Sequence, residues 1–194
     1  MTTAASQTPR TTHQRALIFH GYGATPEDHW FGWLAEQLET ESIRTAIPPL
    51  PHPLMPQTEQ WEDDVRAAVK QPDEHTIVIA HSLGCLAVLR CLRSLPGTWR
   101  LGTLVLVSGF VDPLPALPEL DGFIGGGCDV TELRDHIGRL VVVRSDNDSI
   151  VPPGHTDRLA EQLGISAQVV PGAGHFLAAE GITELSFVRD VITS

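Results

Sequence analysis

The residue pattern predicts an α/β fold, a single domain with a mostly parallel central sheet and helices on both faces. Apolar runs of strand length alternate along the chain with amphipathic segments of helix length, the signature of strands joined by crossover helices. The strand-length runs are continuously apolar rather than alternating, as expected for strands covered on both faces. The chain has 194 residues, 42% of them hydrophobic and 19% charged, which suits one domain with a core that needs no staples and excludes a disordered chain or a fibre.

Taken in order, residues 1–13 are polar and are expected to form a flexible tail, with the folded domain spanning 14–194. The first strand is read at Ala16–Phe19 and is broken by His20-Gly21-Tyr22-Gly23. A helix follows from about Asp28 to Leu38, with Trp30, Trp33, Leu34 and Leu38 on one stripe. A short strand is expected at Arg44–Ile47. Residues 48–56, PPLPHPLMP, contain five prolines and can form neither helix nor central strand, so they read as a stiff extended loop, either a connector or a pocket wall. A helix from about Glu59 to Lys70 places Trp61, Val65 and Val69 at helical spacing. Thr76–Ala80 is the clearest strand, and a helix from Gly84 to Arg93 begins almost at once after it. Strand Thr103–Val107 leads into a Pro- and Gly-rich loop over 108–127. Strand Leu140–Val143, a helix at about His155–Leu163, strand Ala167–Val170, the loop 171–175 and a helix at about Thr183–Ile192 complete the domain.

The net charge of −11 disfavours a nucleic-acid partner, because an acidic surface repels phosphate backbones. The three cysteines, Cys85, Cys91 and Cys128, form no C-x-x-C pair and are odd in number, which predicts neither a disulfide framework nor a zinc knuckle. No secretory h-region and no membrane-length apolar run is visible, so the expected location is the cytoplasm, with no membrane partner.

The chemistry is read from Ala80-His81-Ser82-Leu83-Gly84. Small residues on both sides of a serine, between a buried strand and a helix, are what a nucleophile elbow requires, although Ala80 stands where the usual pattern has glycine. A serine hydroxyl needs a base, and the α/β-hydrolase order is serine, acid, then histidine. His175 follows Pro171-Gly172-Ala173-Gly174 at the edge where open α/β sheets place their sites, so it is preferred to His136 and His155, which read as solvated. Asp148 opens Asp-Ser-Ile-Val-Pro after a strand and is preferred as the orienting acid, with Asp146 as the alternative and Asp112 a poorer third choice. The oxyanion donors expected by position are the backbone amides of Tyr22 and Leu83. His20 reads as a structural hydrogen-bonding residue beneath the first loop. Tyr22, Phe110 and Phe176 are expected to line a shallow pocket, with His52 and Met55 as its wall.

Together, His20-Gly21-Tyr22-Gly23, the proline-rich segment before Trp61, the serine pentapeptide, Asp148 through Pro152 and Gly172-Ala173-Gly174-His175-Phe176 resemble the compact serine hydrolases related to retinoblastoma-binding protein 9. The resemblance runs from about residue 15 to residue 194. It implies a capless, shortened α/β-hydrolase fold with a Ser82, Asp148, His175 triad; no cofactor is expected. It also implies hydrolysis of small acyl substrates, with carboxylic ester, thioester and aminoacyl bonds all open. A retinoblastoma-type pocket-protein partner is not supported: the L-x-C segments at Leu83–Ala87 and Leu89–Arg93 lack the glutamate of L-x-C-x-E.

Other readings fit less well. Gly21-x-Gly23 lacks the third glycine of a dinucleotide fingerprint, Pro26 standing in its place, and no acid ends the next strand. Asp146-Asn147-Asp148 opens like a calcium loop but has Ile150 at the next ligand position. No metal-ligand spacing of histidines occurs. The main alternative is a catalytically silent α/β-hydrolase domain that acts as a binding module. The presence of every catalytic role weighs against it.

Overall fold

The computed structural model describes residues 14–194, so the expected tail at 1–13 lies outside the described residues. Six strands are found: β1 (Arg15–Phe19), β2 (Arg44–Ala46), β3 (Thr76–His81), β4 (Leu101–Val107), β5 (Ile137–Arg144) and β6 (Gln168–Val169). They form one sheet in the order β2-β1-β3-β4-β5-β6, and every pairing is parallel rather than most of them. The main helices are α1 (Phe31–Thr40), α2 (Thr58–Val69), α3 (Leu83–Arg93), α4 (Asp121–Ile124), α5 (Pro153–Gln162) and α6 (Ser186–Thr193).

Strand alternation sorts the core into two layers. Leu17 and Phe19 of β1, Val78 and Ala80 of β3, and Leu104 and Leu106 of β4 face α2, α3, α4 and α5. Ala16 and Ile18, Ile77 and Ile79, and Val105 and Val107 face α1 and α6. Continuous apolar strands are therefore covered on both sides, as their composition requires. α3 is buried along nearly its whole length, which explains why Cys85 and Cys91 act as core fillers. Desolvation pushes both thiols up, that of Cys91 to about 11, so neither is a ready nucleophile.

Several elements depart from expectation; β5 begins at Ile137 rather than Leu140, and α6 at Ser186 rather than about Thr183. α1 starts at Phe31 and not Asp28, because Asp28 closes a turn by accepting from the Thr25 amide at 2.7 Å and His29 takes a φ of 56°. The 108–127 segment is not wholly irregular: it contains α4 and a preceding 3₁₀ turn at Pro118–Leu120. Arg90 holds the end of α4 by donating to the carbonyls of Phe123 at 2.8 Å and Ile124 at 2.6 Å.

The chain order sets the place of the site. After β1 the chain runs outward to β2 and then back across to β3, so β1 and β3 flank the point where strand order reverses. The register pairs Phe19 with Ala80. The residues just beyond each, Gly21-Tyr22 and Ser82-Leu83, are therefore brought side by side above the sheet.

Candidate active site

Ser82 sits between β3 and α3 at φ 54° and ψ −126°, a strained conformation for a non-glycine residue. Its amide donates to the Val107 carbonyl at 2.9 Å, which ties the turn to β4. The small neighbours are needed for contact rather than flexibility. A Cβ on Gly84 would lie 2.3 Å from the His20 carbonyl oxygen, and one on Gly21 would lie 2.8 Å from the Ser82 Cβ. Ala80 is fully buried at the same crossing, so a methyl fits where the usual pattern has glycine.

Ser82, His175 and Asp148 come together. His175 Nδ1 donates to Asp148 Oδ2 at 2.7 Å, and Nε2 lies 3.0 Å from Ser82 Oγ as acceptor for the hydroxyl. Asp148 is itself fixed: Ser108 Oγ donates to Oδ2 at 2.9 Å, and the amides of Ile150 and Val151 donate to Oδ1 at 2.9 and 2.8 Å. Asp146 is not at the imidazole; it accepts the Gly172 amide at 2.7 Å. Asp112 is also elsewhere, paired with His155 Nδ1 at 2.8 Å and with Arg158. His155 is thus engaged rather than solvated. So is His136, which stacks on Trp99 with ring centroids 4.5 Å apart.

The histidine loop is held by side chains on every side. Ser145 Oγ donates to the Gly174 carbonyl at 2.5 Å, and Asn147 Oδ1 accepts the Gly174 amide at 2.8 Å. Glu180 Oε2 accepts the His175 amide at 2.7 Å, and His81 Nε2 donates to the His175 carbonyl at 2.9 Å. The His81 and His175 rings are 4.8 Å apart. Burial, and then the neighbouring His175, hold the His81 pKa well below its usual value, so the ring is neutral. Ser108 and Glu180 carry no local signal in the sequence, because each reaches the site through a tertiary contact; His81 is visible there only as part of the pentapeptide around Ser82.

Among the described residues, the amides of Tyr22 and Leu83 donate to no other group, leaving both N–H bonds free at the Ser82 turn. The loop that carries Tyr22 is braced by the proline-rich segment. His20 Nδ1 donates to the Gly21 carbonyl at 3.0 Å, while its Nε2 accepts the Leu50 amide at 2.9 Å. Desolvation lowers the His20 pKa, in keeping with this neutral, structural role. The Gly23 amide donates to Pro53 at 2.9 Å, and Trp61 Nε1 donates to Pro51 at 2.7 Å.

A cavity of about 350 Å³ opens beside Ser82 and His175, walled by Tyr22, His29, Leu117, Ile150 and Leu177. Two expected lining residues are absent from it. Phe110 is buried in the core layer with α3, and Phe176, at φ 60°, is buried in the opposite layer with Phe31. Phe110 follows Ser108 at φ 47°, Phe176 closes a turn by donating its amide to the Ala173 carbonyl at 2.9 Å, and both rings are fully buried. Met55 borders a neighbouring cavity of about 460 Å³ that meets the first at Tyr22, and His52 is exposed and borders neither. Among the described residues no cluster of His, Cys, Asp and Glu is arranged to hold a metal ion, and no helix is long and apolar enough to cross a membrane.

Comparison with known proteins agrees with this architecture. The family model described as "Serine hydrolase" matches residues 16–194. The YdeN protein of Bacillus subtilis (strain 168) is 39% identical over 181 residues, covering 93% of this chain and 95% of YdeN. The crystal structure of the ydeN gene product superposes with a TM-score of 0.89 at 38% identity, across 93% of this chain and 97% of that one. Serine hydrolase RBBP9 of Rattus norvegicus is 22% identical over 176 residues, 90% of this chain and 92% of RBBP9. An alpha-beta serine hydrolase homologue from Coxiella burnetii shares the fold, with a TM-score of 0.62 at 17% identity over 93% of this chain and 83% of that one.

Proposed function

The chain belongs to the serine hydrolase family and is a hydrolytic enzyme of the α/β-hydrolase fold, and from that premise we propose that it cleaves small carboxylic esters through an acyl-enzyme on Ser82. The observation that carries this reading is the unbroken hydrogen-bond line from Ser82 Oγ through His175 to Asp148. His175 Nε2 takes the hydroxyl proton as Oγ attacks the ester carbonyl. The carbonyl oxygen gains negative charge and receives the free amides of Tyr22 and Leu83, the second at the start of α3, where the helix dipole favours an anion. Loss of one such donor costs an enzyme about 2.7–4 kcal/mol of transition-state stabilisation. His175 then hands its proton to the departing alkoxide. Water attacks the acyl-enzyme with His175 again as base, releasing the acid and restoring Ser82. Asp148 keeps the imidazole proton on Nδ1 and stabilises the imidazolium while it exists.

The cavity lining favours an ester over an aminoacyl substrate. It contains no Asp or Glu to pair with an α-ammonium group, and an unpaired charge beside that apolar wall is costly to desolvate. A series of p-nitrophenyl esters from acetate to decanoate, set beside aminoacyl p-nitroanilides, tests this reading. Short-chain esters are expected to turn over, and Ser82→Ala is expected to lose at least about 10³-fold in kcat. Equal turnover by Ser82→Ala would overturn the assignment of the nucleophile, and faster turnover of the aminoacyl anilides would overturn the substrate class.

A further inference from the structure

His29 lines the cavity beside Ser82 and His175 but takes no part in the proton transfers. It lies in the turn between β1 and α1 in a left-handed conformation, uncommon for a residue with a side chain. Its ring stands edge-on to Phe31 and His81, at centroid distances of 5.4 and 5.8 Å, so its orientation is packed in place. The Ala178 amide donates to Nδ1 at 3.1 Å. A ring nitrogen that accepts an N–H carries no proton of its own, which puts the ring proton on Nε2. Desolvation also favours the neutral ring. Among the described residues no group accepts from Nε2. Nor does that atom belong with the buried polar atoms that lack a partner, which are His81 Nδ1, Trp30 Nε1 and Thr156 Oγ1. Nε2–H is therefore an open donor on a ring that walls the cavity, and that wall carries no Lys, Arg, Asp or Glu.

We propose that His29 Nε2–H binds the leaving-group side of the substrate and selects uncharged esters whose alcohol portion carries a neutral oxygen acceptor, an ether or hydroxyl oxygen a few bonds beyond the ester oxygen. The side follows from what holds the ring. His29 is tied to Ala178, on the loop that carries His175, and His175 is the group that protonates the departing alkoxide. The apolar wall of Leu117 and Ile150 is left for the acyl group. A neutral donor in an uncharged cavity discriminates an oxygen from a methylene of the same size, because only the oxygen satisfies the donor once water is displaced. This inference rests on the reading of Ser82 and His175 given above.

The test uses two matched ester pairs, each differing by one oxygen in place of one methylene. n-Butyl butyrate and 2-methoxyethyl butyrate vary the alcohol. p-Nitrophenyl butyrate and p-nitrophenyl methoxyacetate vary the acyl group. Wild type, His29→Phe and His29→Gln are compared, the last because its amide places an N–H near the lost Nε2. In His29→Phe the ratio of kcat/KM for 2-methoxyethyl butyrate over n-butyl butyrate is expected to fall about three- to ten-fold, chiefly through KM, with partial recovery in His29→Gln. The acyl-side ratio is expected to move less than that. An unchanged alcohol-side ratio in both variants overturns the inference, as does a change confined to the acyl pair. Fluorophosphonate labelling of Ser82 in the wild type separates the two readings. Absent labelling defeats the active-site assignment itself, whereas a labelled enzyme with an unmoved ratio defeats only the role of His29.

Discussion

The two oxygens of Asp148 divide their work: Oδ1 takes two backbone amides that fix the turn, and Oδ2 takes His175 and Ser108. Asp148→Asn keeps the shape but presents an amide where a carboxylate must receive Nδ1–H. Turnover is expected to fall about 10³- to 10⁴-fold with little change in thermal stability. Asp146→Asn should lose far less, since its contact is one loop amide; steady-state kinetics on both variants checks the ranking. The sequence left these two acids as alternatives because both follow β5 on the same turn, and only the fold determines which one meets the imidazole. His81 was legible only as part of the elbow motif. Its donor to the His175 carbonyl makes it a positioning residue in this account. His81→Phe should lower kcat roughly ten-fold with KM nearly constant, and His81→Gln, which can restore the donor, should recover part of the loss. Equal defects in the two variants would reduce His81 to packing.

At the scale of elements, the site depends on how closely β1, β3 and α3 approach. Gly84→Ala sets a methyl against the His20 carbonyl. It is expected to destabilise the fold by about 1–3 kcal/mol, read from denaturant unfolding, and to depress kcat by displacing the Leu83 amide. A stable, fully active Gly84→Ala would show that the crossing has slack. Trp61→Phe keeps the ring buried in the core but loses the bond to Pro51. About 1 kcal/mol of stability should go with it, and turnover should drop as the proline-rich loop loosens its hold on Gly23. That loop reads ambiguously in sequence as connector or wall, and the structure gives it a bracing role for the Tyr22 loop as well as a border on the neighbouring cavity. The central strands β1, β3 and β4 were legible because each carries a largely apolar run buried on both faces; the short edge strands β2 and β6 are mostly exposed and carry no such run. The start of α1 was not, because a left-handed His29 stops the helix without glycine or proline to announce it. Phe110 and Phe176 were misplaced for a similar reason: an aromatic residue beyond a strand end can turn into the core or into a pocket, and local pattern does not distinguish these.

For the whole molecule, the three histidines His20, His29 and His81 share one thermodynamic consequence. Desolvation lowers the pKa of each in the folded chain. The unfolded chain takes up those protons near pH 6.5, where the native chain still refuses them. Below about pH 6.5 the unfolded state therefore binds more protons, and stability falls as pH falls, by up to about 1.4 kcal/mol per pH unit for the fully buried His81 ring and by less for His20 and the half-buried His29, which solvent screens. At Asp28, Asp73 and Asp112 desolvation acts in the raising direction but is outweighed by local hydrogen bonds, so their lowered pKa values extend the same trend below about pH 4. Unfolding curves between pH 7.5 and 5 should show the midpoint dropping, and His81→Phe should flatten that slope by about one proton. A pH-independent midpoint would mean that the buried rings accept protons in place. The ordering of serine, acid and histidine along the chain made the reaction class legible, while the substrate depends on a cavity assembled from five separate segments and was not. The proposed reaction requires Ser82 as its nucleophile. Its most direct test is intact-protein and peptide mass spectrometry after treatment with a fluorophosphonate. The expected result is one phosphonyl group per chain, located on Ser82 and absent from Ser82→Ala. An unlabelled wild type, or an adduct that persists in Ser82→Ala, would contradict it.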